Sequence, residues 1–279
     1  ALPISGAFDV FFLKKKLFGM KDLRVLVLDE ADHIISSEQF LDVCDKVFTT
    51  IVRQKIETQV LFFSATYTED NFKLIKKSFK SAHMLQVEKG GLTLKKVQQF
   101  YFKCDRREDK IQFIEDYLKS SIESERVIIF VNTRDFTEKL TMILRQKGYK
   151  VFLLMGGQMD PVERDLTIKK FNTGEIQILI TTNLLARGFD ERLVKLIINF
   201  DMPVMKQNDK YVVDKENYLH RIGRTGRFGS KGIGLTLVSN ENELNMIKEL
   251  ENHYGSTITE IKSMDELLDN FKKLIAEKF

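Results

Sequence analysis

The length and composition of the chain predict a folded globular protein with room for one large or two modest domains. Of its 279 residues, 43% are hydrophobic and 30% are charged, a balance that excludes a disordered chain. The net charge of +4 permits nucleic-acid binding, but it fits an ordinary solvated surface equally well. No apolar run approaches the roughly 20 residues that a membrane span needs. The two cysteines, Cys44 and Cys104, are too few for a disulfide framework and stand in no metal-ligand spacing.

Short apolar runs rich in β-branched residues alternate with helical patterns along the chain. Their near-continuous apolar character is typical of strands buried on both faces of a parallel sheet. The alternation itself predicts an α/β architecture. The predicted strands are Arg24–Leu28, Val60–Phe63, Val127–Val131, Val151–Leu154, Gln177–Thr181, Leu196–Phe200 and Ile233–Val238.

Two helices carry recognisable start and stop signals. Asp160 suits an N-cap, Pro161 the first helical position and Gly174 the stop. Near the end of the chain, Ser263-Met-Asp-Glu266 predicts a capping box that opens an amphipathic helix.

The segment Glu88-Lys-Gly-Gly91 has the composition of a linker. It follows one strand–helix series and precedes a second. We therefore predict a domain boundary there, accurate to a few residues, with residues 1–88 in the first domain and 89–279 in the second.

An acidic motif, Asp29-Glu-Ala-Asp32, ends the first predicted strand. Its carboxylates should emerge at the carboxyl edge of the sheet, where open α/β sheets bind ligands. Asp29 could hold Mg²⁺ directly or through water, and Glu30 could orient or deprotonate an attacking water. A strand followed by a polar turn is the ordinary alternative for an isolated acidic pair.

The next predicted strand runs into hydroxyl side chains, Ser64 and Thr66. A Ser/Thr turn after a strand is usually a helix N-cap. Only the distance of this turn from the acidic motif makes it informative.

A basic motif, His220-Arg-Ile-Gly-Arg224-Thr-Gly-Arg227, lies in the second half of the chain. Because arginines are costly to place in a core, Arg224 and Arg227, held by turns at Gly223 and Gly226, could reach a transferring phosphate as bidentate donors. A solvated basic loop is the alternative.

A fourth motif begins where a predicted strand ends in Thr181 and Thr182, followed by Arg187-Gly-Phe-Asp190. Hydroxyls and exposed backbone N–H groups at a helix N-terminus suit phosphates and sugars of RNA. A carboxylate such as Asp190 can accept hydrogen bonds from ribose hydroxyls. An ordinary strand–loop with a structural Asp is the alternative.

Together and in this order, the four motifs resemble those of the DEAD-box helicases of superfamily 2. Asp29–Asp32 resembles motif II and Ser64–Thr66 resembles motif III, while Phe130-Val-Asn-Thr-Arg134 resembles motif IV. Thr181–Asp190 and His220–Arg227 resemble motifs V and VI. The resemblance implies an ATP-dependent RNA helicase with tandem RecA-like parallel-sheet domains and with ATP and Mg²⁺ as cofactors.

The resemblance also implies residue roles. Asp29 would hold Mg²⁺ through water, and Glu30 would act on the attacking water. Arg224 and Arg227 would act as arginine fingers. The residues implied to contact the nucleotide or to couple its state to domain closure are Asp32, Ser64, Thr66, Asp190 and His220. The residues implied to line the RNA backbone, without reading its sequence, are Thr133, Arg134, Arg164, Thr181, Thr182 and Gly188.

A narrower resemblance connects the chain to the nuclear-pore mRNA-export branch of the family. A long polar insertion occupies Val204 to Glu216, and the acidic motif continues as His33-Ile-Ile-Ser-Ser37. This likeness implies a monomer that meets messenger RNA, a nucleoporin and an inositol-phosphate-bound activator, in the cytoplasm and nucleus and at the nuclear pore.

The printed sequence contains no Gly-x-x-x-x-Gly-Lys-Ser/Thr element and opens on Ala1. We expect a first RecA-like domain that lacks its P-loop half, from a fragment or truncated gene model of a full helicase or from a naturally short relative. Such a chain should be inactive alone, since that element carries most of the phosphate grip. Two other classes stay open: a non-catalytic RNA- or protein-binding module, and another superfamily 2 enzyme such as a DNA helicase.

Overall fold

A computed structural model of the chain describes residues 20–31, 34, 38–64, 69–85, 96–120, 126–155, 160–182, 194–226 and 231–276. The chain divides into two compact units, Ala1–Gln86 and Val87–Phe279. The predicted boundary between residues 88 and 89 falls among residues 86–95, outside the described part, and stays a prediction.

The first unit contains a parallel pair of strands with two helices against it. A short 3-10 helix, Met20–Asp22, precedes the unit's other elements, which are β1 (Val25–Leu28), α1 (Glu38–Arg53), β2 (Gln59–Phe62) and α2 (Glu69–Ser78). The core of this unit includes Leu26 and Leu28 on one face of β1. The other face carries Val25 and Val27, which are 51% and 46% exposed. Burial on both faces is therefore wrong for β1, and this unburied apolar surface fits the expected incomplete domain.

The second unit is larger and holds a seven-stranded sheet. Its strands in the sheet are β3 (Val97–Lys103), β4 (Arg126–Phe130), β5 (Val151–Leu154), β6 (Ile178–Thr181), β7 (Val194–Asn199), β10 (Gly232–Val238) and β11 (Ile258–Ile261), and a separate pair is β8 (Val204–Gln207) and β9 (Lys210–Val213). Its helices are α3 (Arg107–Lys119), α4 (Arg134–Gln146), α5 (Pro161–Thr173), α6 (Lys215–Ile222), α7 (Glu241–Tyr254) and α8 (Met264–Ala276).

The order of strands in the large sheet is β11-β3-β10-β7-β4-β6-β5, and every neighbouring pair is parallel. The central strand β4 is buried along its whole length. Val127 and Ile129 belong to one apolar cluster, whereas Ile128 and Phe130 belong to another. Both faces of the sheet are therefore covered, as the apolar runs predict for parallel strands. The two cysteines, Cys44 and Cys104, are buried free thiols in different units.

All seven predicted strands are present, with ends that differ by two residues at most. The prediction missed β3 and β11, which flank each other at one side of the sheet. Polar Gln98 and Gln99 interrupt the apolar run of β3. Gln99 is nevertheless buried, and its side chain accepts a hydrogen bond from the Tyr218 hydroxyl at 2.9 Å. The strand β11 has only four residues and alternates in burial, so its signal is short and weak.

The two signposted helices form where they were predicted. The Asp160 carboxylate accepts hydrogen bonds from the backbone N–H groups of Val162 and Glu163 at 2.8 and 3.3 Å, and α5 ends at Gly174 with a φ of 89°. At α8, Ser263 accepts from the backbone of Glu266 at 3.2 Å. The Glu266 carboxylate bonds the backbone N–H of Lys262 at 2.9 Å, one residue before the position that the capping box predicts. Among the described residues, no helix combines the length and apolar character needed to cross a bilayer.

The insertion that the sequence presents as a long polar segment is ordered secondary structure. The strands β8 and β9 pair antiparallel, with Lys206 opposite Tyr211. The two residues between them, Asn208 and Asp209, have φ values of 48° and 59°, the left-handed pair of a type I′ turn. The insertion is therefore a two-residue β-hairpin followed by the N-cap of α6.

The turn geometry predicts that Asp209→Gly stabilises the hairpin. Glycine adopts a positive φ without a Cβ clash, and the gain should be up to about 1 kcal/mol, the lower end of the cost of a strained non-glycine residue. The exposed ion pair of Lys206 with Asp209 would be lost, but such pairs contribute little. Slower amide exchange in residues 204–213 is the expected measurement. As the matched control, Asn208→Ala should accelerate exchange, because alanine tolerates the left-handed region less well than asparagine; equal behaviour of the two variants would contradict the turn assignment.

Candidate functional site

In the first unit, the acidic and hydroxyl motifs meet at one edge of the parallel strand pair. The backbone N–H of Phe63 donates to Leu28 at 2.8 Å, and the N–H of Ala31 donates to Phe63 at 2.9 Å. These bonds extend the pairing past the ends of β1 and β2. Asp29, Glu30 and Ser64 consequently lie at the same carboxyl edge, as predicted from their positions after the strands.

The backbone of Glu30 is held in an unusual conformation. Its φ is 50°, in the left-handed region that non-glycine residues rarely occupy. The N–H of Glu30 donates to the Asp29 side chain at 3.0 Å, which helps to fix the turn. Strained residues of this kind cost about 1–3 kcal/mol and cluster at functional sites, so the conformation favours a functional reading of Glu30 over an ordinary polar turn.

The donor set at this edge fits Mg²⁺ only as an ion shared with a phosphate ligand. Asp29 is exposed, and one of its oxygens accepts the Glu30 N–H, which leaves the other oxygen for a metal-bound water. Within the described residues, no group of three or more His, Cys, Asp or Glu side chains could hold a metal by itself. This arrangement suits Mg²⁺, which keeps several waters and takes the rest of its ligands from substrate phosphates.

In the second unit, those predicted RNA-side residues that the structure describes lie at the carboxyl edge of β4, β6 and β5, which are neighbours in the sheet. Thr133 is the N-cap of α4 and Arg134 is its first residue, and both are exposed. Arg164 is exposed in the first turn of α5. Two helix N-termini with arginines beside them can bind phosphate oxygens. Acidic side chains in the same first turns, Asp135 and Glu163, moderate the positive field.

Thr181 and Thr182 lie at the end of β6 but are not displayed on the surface. They are 1% and 7% exposed. The Thr181 hydroxyl donates to the backbone oxygen of Leu154 at 2.7 Å, across to the neighbouring strand β5. The structure therefore gives this hydroxyl a role in holding the sheet edge, whereas the sequence motif suggests a ligand contact.

The helix α6 carries the basic motif along the sheet from the carboxyl edge to the amino edge. At its start, the Asp214 carboxylate caps the helix through the backbone N–H of Asn217 at 2.9 Å. At its end, the Thr225 hydroxyl donates at 2.6 Å to the oxygen of Val194, the first residue of β7. Gly226 follows with a φ of 72°, and a Cβ there would lie 2.8 Å from Val97. Gly226 is thus a tight turn as predicted, whereas Gly223 has an ordinary φ of −67°.

Two of the three arginines in the basic motif are buried, so the prediction that they avoid the core is wrong for these two. Arg221 is 0% exposed and Arg224 is 3% exposed. The Arg224 Nε donates to the backbone oxygen of His220 at 3.1 Å, and His220 Nδ1 lies 3.9 Å from the Glu216 carboxylate one turn earlier. The basic motif is therefore a packed helix end, and only part of it could meet a ligand.

Arg221 is the residue that the sequence reading passed over. Its guanidinium donates to Asn132 Oδ1 at 2.8 Å, to Asn199 Oδ1 at 3.3 Å and to the Asp201 backbone oxygen at 2.9 Å. Burial lowers the pKa of Arg221 to about 9, while the carboxylates of Asp201 and Asp214 act in the opposite direction. The signal was available in the spacing: the buried residues Tyr218, Arg221, Ile222 and Thr225 follow the i, i+3, i+4, i+7 pattern of an inward helix face.

Five of the predicted site residues lie outside the described part of the chain. They are Asp32, Thr66, Gly188, Asp190 and Arg227. Their roles stay predictions from the sequence.

Comparison with known proteins matches one domain family mainly to each unit. The domain family "Helicase conserved C-terminal domain" matches residues 109–229, and "DEAD/DEAH box helicase" matches residues 5–75. The ATP-dependent RNA helicase DDX25 of Rattus norvegicus is 34% identical over 256 residues, which cover 91% of this chain and 51% of that protein. The chain belongs to the DEAD-box helicase family. It spans about half the length of the curated relatives it matches.

Two solved structures of a yeast relative show the same architecture. S. cerevisiae Dbp5 bound to RNA and ADP BeF3 superposes with a TM-score of 0.82 at 30% identity, over 95% of this chain and 66% of that one. S. cerevisiae dbp5 l327v bound to nup159, gle1 h337r, ip6 and adp gives a TM-score of 0.64 at 27% identity, over 98% of this chain and 68% of that one. The α/β fold with RecA-like parallel sheets and an incomplete first domain is thereby confirmed.

The packing around the end of α6 predicts that Gly232→Ala destabilises this DEAD-box chain. A Cβ at Gly232 would lie 1.9 Å from the Thr225 hydroxyl oxygen, which is itself bonded to Val194. Overpacking of this kind costs about 1–3 kcal/mol, measured as a lower urea midpoint for the second unit. The matched control is Gly255→Asn, at a φ of 60° with open space around it, where asparagine should be nearly neutral. An unchanged midpoint for Gly232→Ala would contradict the described packing.

Proposed function

We propose that the chain is the C-terminal portion of an ATP-dependent RNA helicase that remodels RNA during messenger-RNA export. The observation that carries this proposal is the carboxyl edge of the large sheet, where Arg134 and Arg164 stand exposed at two helix N-termini. Contacts of this kind fall on phosphates and sugar hydroxyls, and they select RNA over DNA without reading its sequence. Thr133 lies at the same edge; Thr181 and Thr182 would act there through their backbone groups, since their side chains are buried.

On the nucleotide side, the proposed chemistry is water attack on the terminal phosphate of ATP. Glu30, fixed by its left-handed backbone, orients or deprotonates the water, and Asp29 holds water in the Mg²⁺ shell. When bound there, Mg²⁺ would supply positive charge to offset the charge that develops on the phosphates. Arg224 and Arg227 stabilise the same charge from the second unit, and Asp190 contacts the nucleotide. Asp32, Ser64, Thr66 and His220 connect the nucleotide state to closure of the two units on ATP and RNA.

The partners are proposed from the yeast structures. One Dbp5 structure contains RNA, and another contains nup159, gle1 and ip6. We propose the same classes of partner for the protein from which this chain comes: RNA, a nucleoporin and an inositol-phosphate-bound activator. A cytoplasmic and nuclear distribution with residence at the nuclear pore follows from those partners.

The proposed RNA edge predicts weak, salt-sensitive binding of single-stranded RNA by the chain alone. Replacement of either exposed arginine, Arg134→Ala or Arg164→Ala, should weaken binding uniformly across sequences. Each should also lower the slope of log Kd against log salt by about 0.7, the value for one phosphate contact on a single strand. Fluorescence anisotropy with a labelled oligouridine at several salt concentrations is the measurement.

The control for this prediction is Lys150→Ala. Lys150 is exposed just before β5, so this variant removes one positive charge at the opposite, amino edge of the same sheet. It should leave the salt slope unchanged. Equal slopes for all three variants would mean that binding is a diffuse charge effect and not a property of the carboxyl edge.

The proposed catalytic side predicts no measurable RNA-stimulated ATPase for this chain alone. The printed sequence has no P-loop element, and the backbone amides and lysine of that element supply most of the phosphate grip. Phosphate release with and without RNA is the measurement. Turnover that disappears in Glu30→Gln would contradict the prediction, because it would show that Glu30 acts here without a P-loop.

A second candidate function is a non-catalytic RNA- or protein-binding module. The observation that favours it is the contrast between the units: the large sheet of the second unit is covered on both faces, whereas β1 of the first unit keeps one face open. RNA binding by the chain that is tight and indifferent to ATP would favour this module, since a helicase half-site should bind weakly.

A further inference from the structure

A buried polar cluster, which we call the Arg221 cluster, joins three segments of the second unit. Its members are Arg221, Asn132, Asn199 and Asp201. Arg221 lies on α6, Asn132 on the loop after β4, and Asn199 and Asp201 at the end of β7. The cluster packs against an aromatic ring, with the Arg221 guanidinium 5.2 Å from the centre of Phe130. A fully buried guanidinium is costly unless its donors are satisfied, so each of these partners is held in place by the same charge.

Within the cluster, Asn132 is fixed by both its backbone and its side chain. Its backbone N–H donates to the Asp201 carboxylate at 3.0 Å, and its Nδ2 donates to the Met202 oxygen at 2.7 Å. Its Oδ1 accepts from Arg221. A change in the backbone or side-chain torsions of Asn132 would break at least one of these three hydrogen bonds. The cluster therefore fixes the path of the loop that continues into Thr133 and Arg134.

The Asp201 carboxylate extends the cluster to the outer helix α3. Arg107 donates to it at 3.3 Å, and the Arg107 guanidinium stacks 3.7 Å from the centre of the Phe136 ring on α4. Two contacts therefore hold the start of α4, which carries Arg134: the hydrogen bond from the Asn132 N–H to Asp201 and the stacking of Arg107 on Phe136. Both depend on the position of Asp201, because Arg107 also donates to its carboxylate.

At the other end, Arg221 is rigidly connected to the proposed arginine finger. Arg224 follows it by three residues, and the N–H of Arg224 donates to the Arg221 oxygen at 3.1 Å. Thr225 is then hydrogen-bonded to Val194 of β7, and Gly226 packs closely against Val97 of β3. A shift of this helix end would therefore strain the bonds of the Arg221 guanidinium, which donates to Asn132.

We propose that Arg221 is a positioning residue that couples the proposed phosphate-binding loop at residues 132–134 to the helix end that carries Arg224. In this proposal Arg221 contacts neither RNA nor nucleotide. It fixes the position of the loop relative to the helix end. The roles given to the loop in RNA binding and to Arg224 in phosphate binding rest on the proposed RNA-helicase function. The mechanical link itself stands on the hydrogen bonds of the Arg221 cluster.

The test compares Arg221→Lys with Arg126→Lys in the full 279-residue chain. Lysine keeps the charge but loses the planar fork, so it cannot reach Asn132, Asn199 and Asp201 together. Arg126 is the matched control: it is also buried, at 8% exposure, and donates to the Asn172 oxygen at 2.8 Å. It lies at the first residue of β4, on the amino edge of the sheet. Both variants should lower the unfolding midpoint, so stability alone does not distinguish them.

Two readouts separate positioning from stability, both taken well below the unfolding midpoints. Hydrogen exchange of peptides that cover residues 131–136 should accelerate at least about tenfold in Arg221→Lys and stay near the wild-type rate in Arg126→Lys. The Kd for oligouridine should rise about fivefold or more in Arg221→Lys and less than about twofold in Arg126→Lys. Equal effects of the two variants on exchange would overturn the proposal.

Two further outcomes are informative. If Arg221→Lys does not fold, Asn199→Ala serves instead, because it removes one side-chain acceptor of Arg221 and leaves the bonds of Asn132 to Asp201 and Met202 in place. Faster exchange in residues 131–136 then supports the link, and wild-type exchange overturns it. If the wild-type chain binds no RNA, the proposed RNA function fails, and the exchange experiment alone decides whether Arg221 positions the loop.

Discussion

Parallel pairing of every strand in the seven-stranded sheet is the constraint on which the second unit depends. It sends all carboxyl ends to one edge, so loops that are distant in sequence become neighbours there. The same pairing requires a helix layer on each face, and those layers bury β4 completely. Polar chemistry is thereby confined to the edges, and a phosphate ligand meets helix N-termini and exposed side chains such as Arg134 and Arg164. The first unit repeats the principle on a smaller scale, with Asp29 and Ser64 at one edge of two strands.

A charge in the interior is tolerated because the sheet edge supplies enough acceptors. Removing a guanidinium from water costs several kcal/mol, and hydrogen bonds recover that cost only when their geometry is good. Arg221 finds side-chain acceptors on Asn132 and Asn199 and a backbone acceptor on Asp201. The Asp201 acceptor is a backbone oxygen just past the end of β7, where ladder hydrogen bonds stop and polar groups need other partners. Polar groups at the strand ends can therefore bind a ligand on the solvent side and a buried arginine, here Arg221, on the protein side.

The sequence predicts the fold where the apolar pattern and the capping or turn residues indicate the same element. The seven long apolar runs became strands, and Asp160, Pro161 and Gly174 bounded a helix, since their local preferences match the tertiary context. The prediction missed elements whose stability comes from partners distant in sequence. Gln99 within β3 is satisfied by Tyr218, more than a hundred residues later. The hairpin β8–β9 is local and was missed for a different reason. Its two left-handed turn residues, Asn208 and Asp209, include no glycine, so the turn has only a weak sequence signal.

For the candidate site, motifs place residues at the correct edge but do not say which way a side chain points. Thr181 shows the limit, because a hydroxyl at a strand end serves a ligand and a neighbouring strand equally well, and the structure gives it to Leu154. The basic motif shows why the distinction matters. Arg221 lies on the inward stripe of α6 defined by Tyr218 and Ile222, and Arg224 follows one turn later with its Nε on a helix carbonyl. The arginines of the basic motif therefore do not share one role: Arg221 holds the scaffold, Arg224 packs against the helix end, and a phosphate contact by Arg227 stays a prediction. The periodicity of buried residues along α6, and not the residue type, identifies Arg221 as the arginine that faces the core.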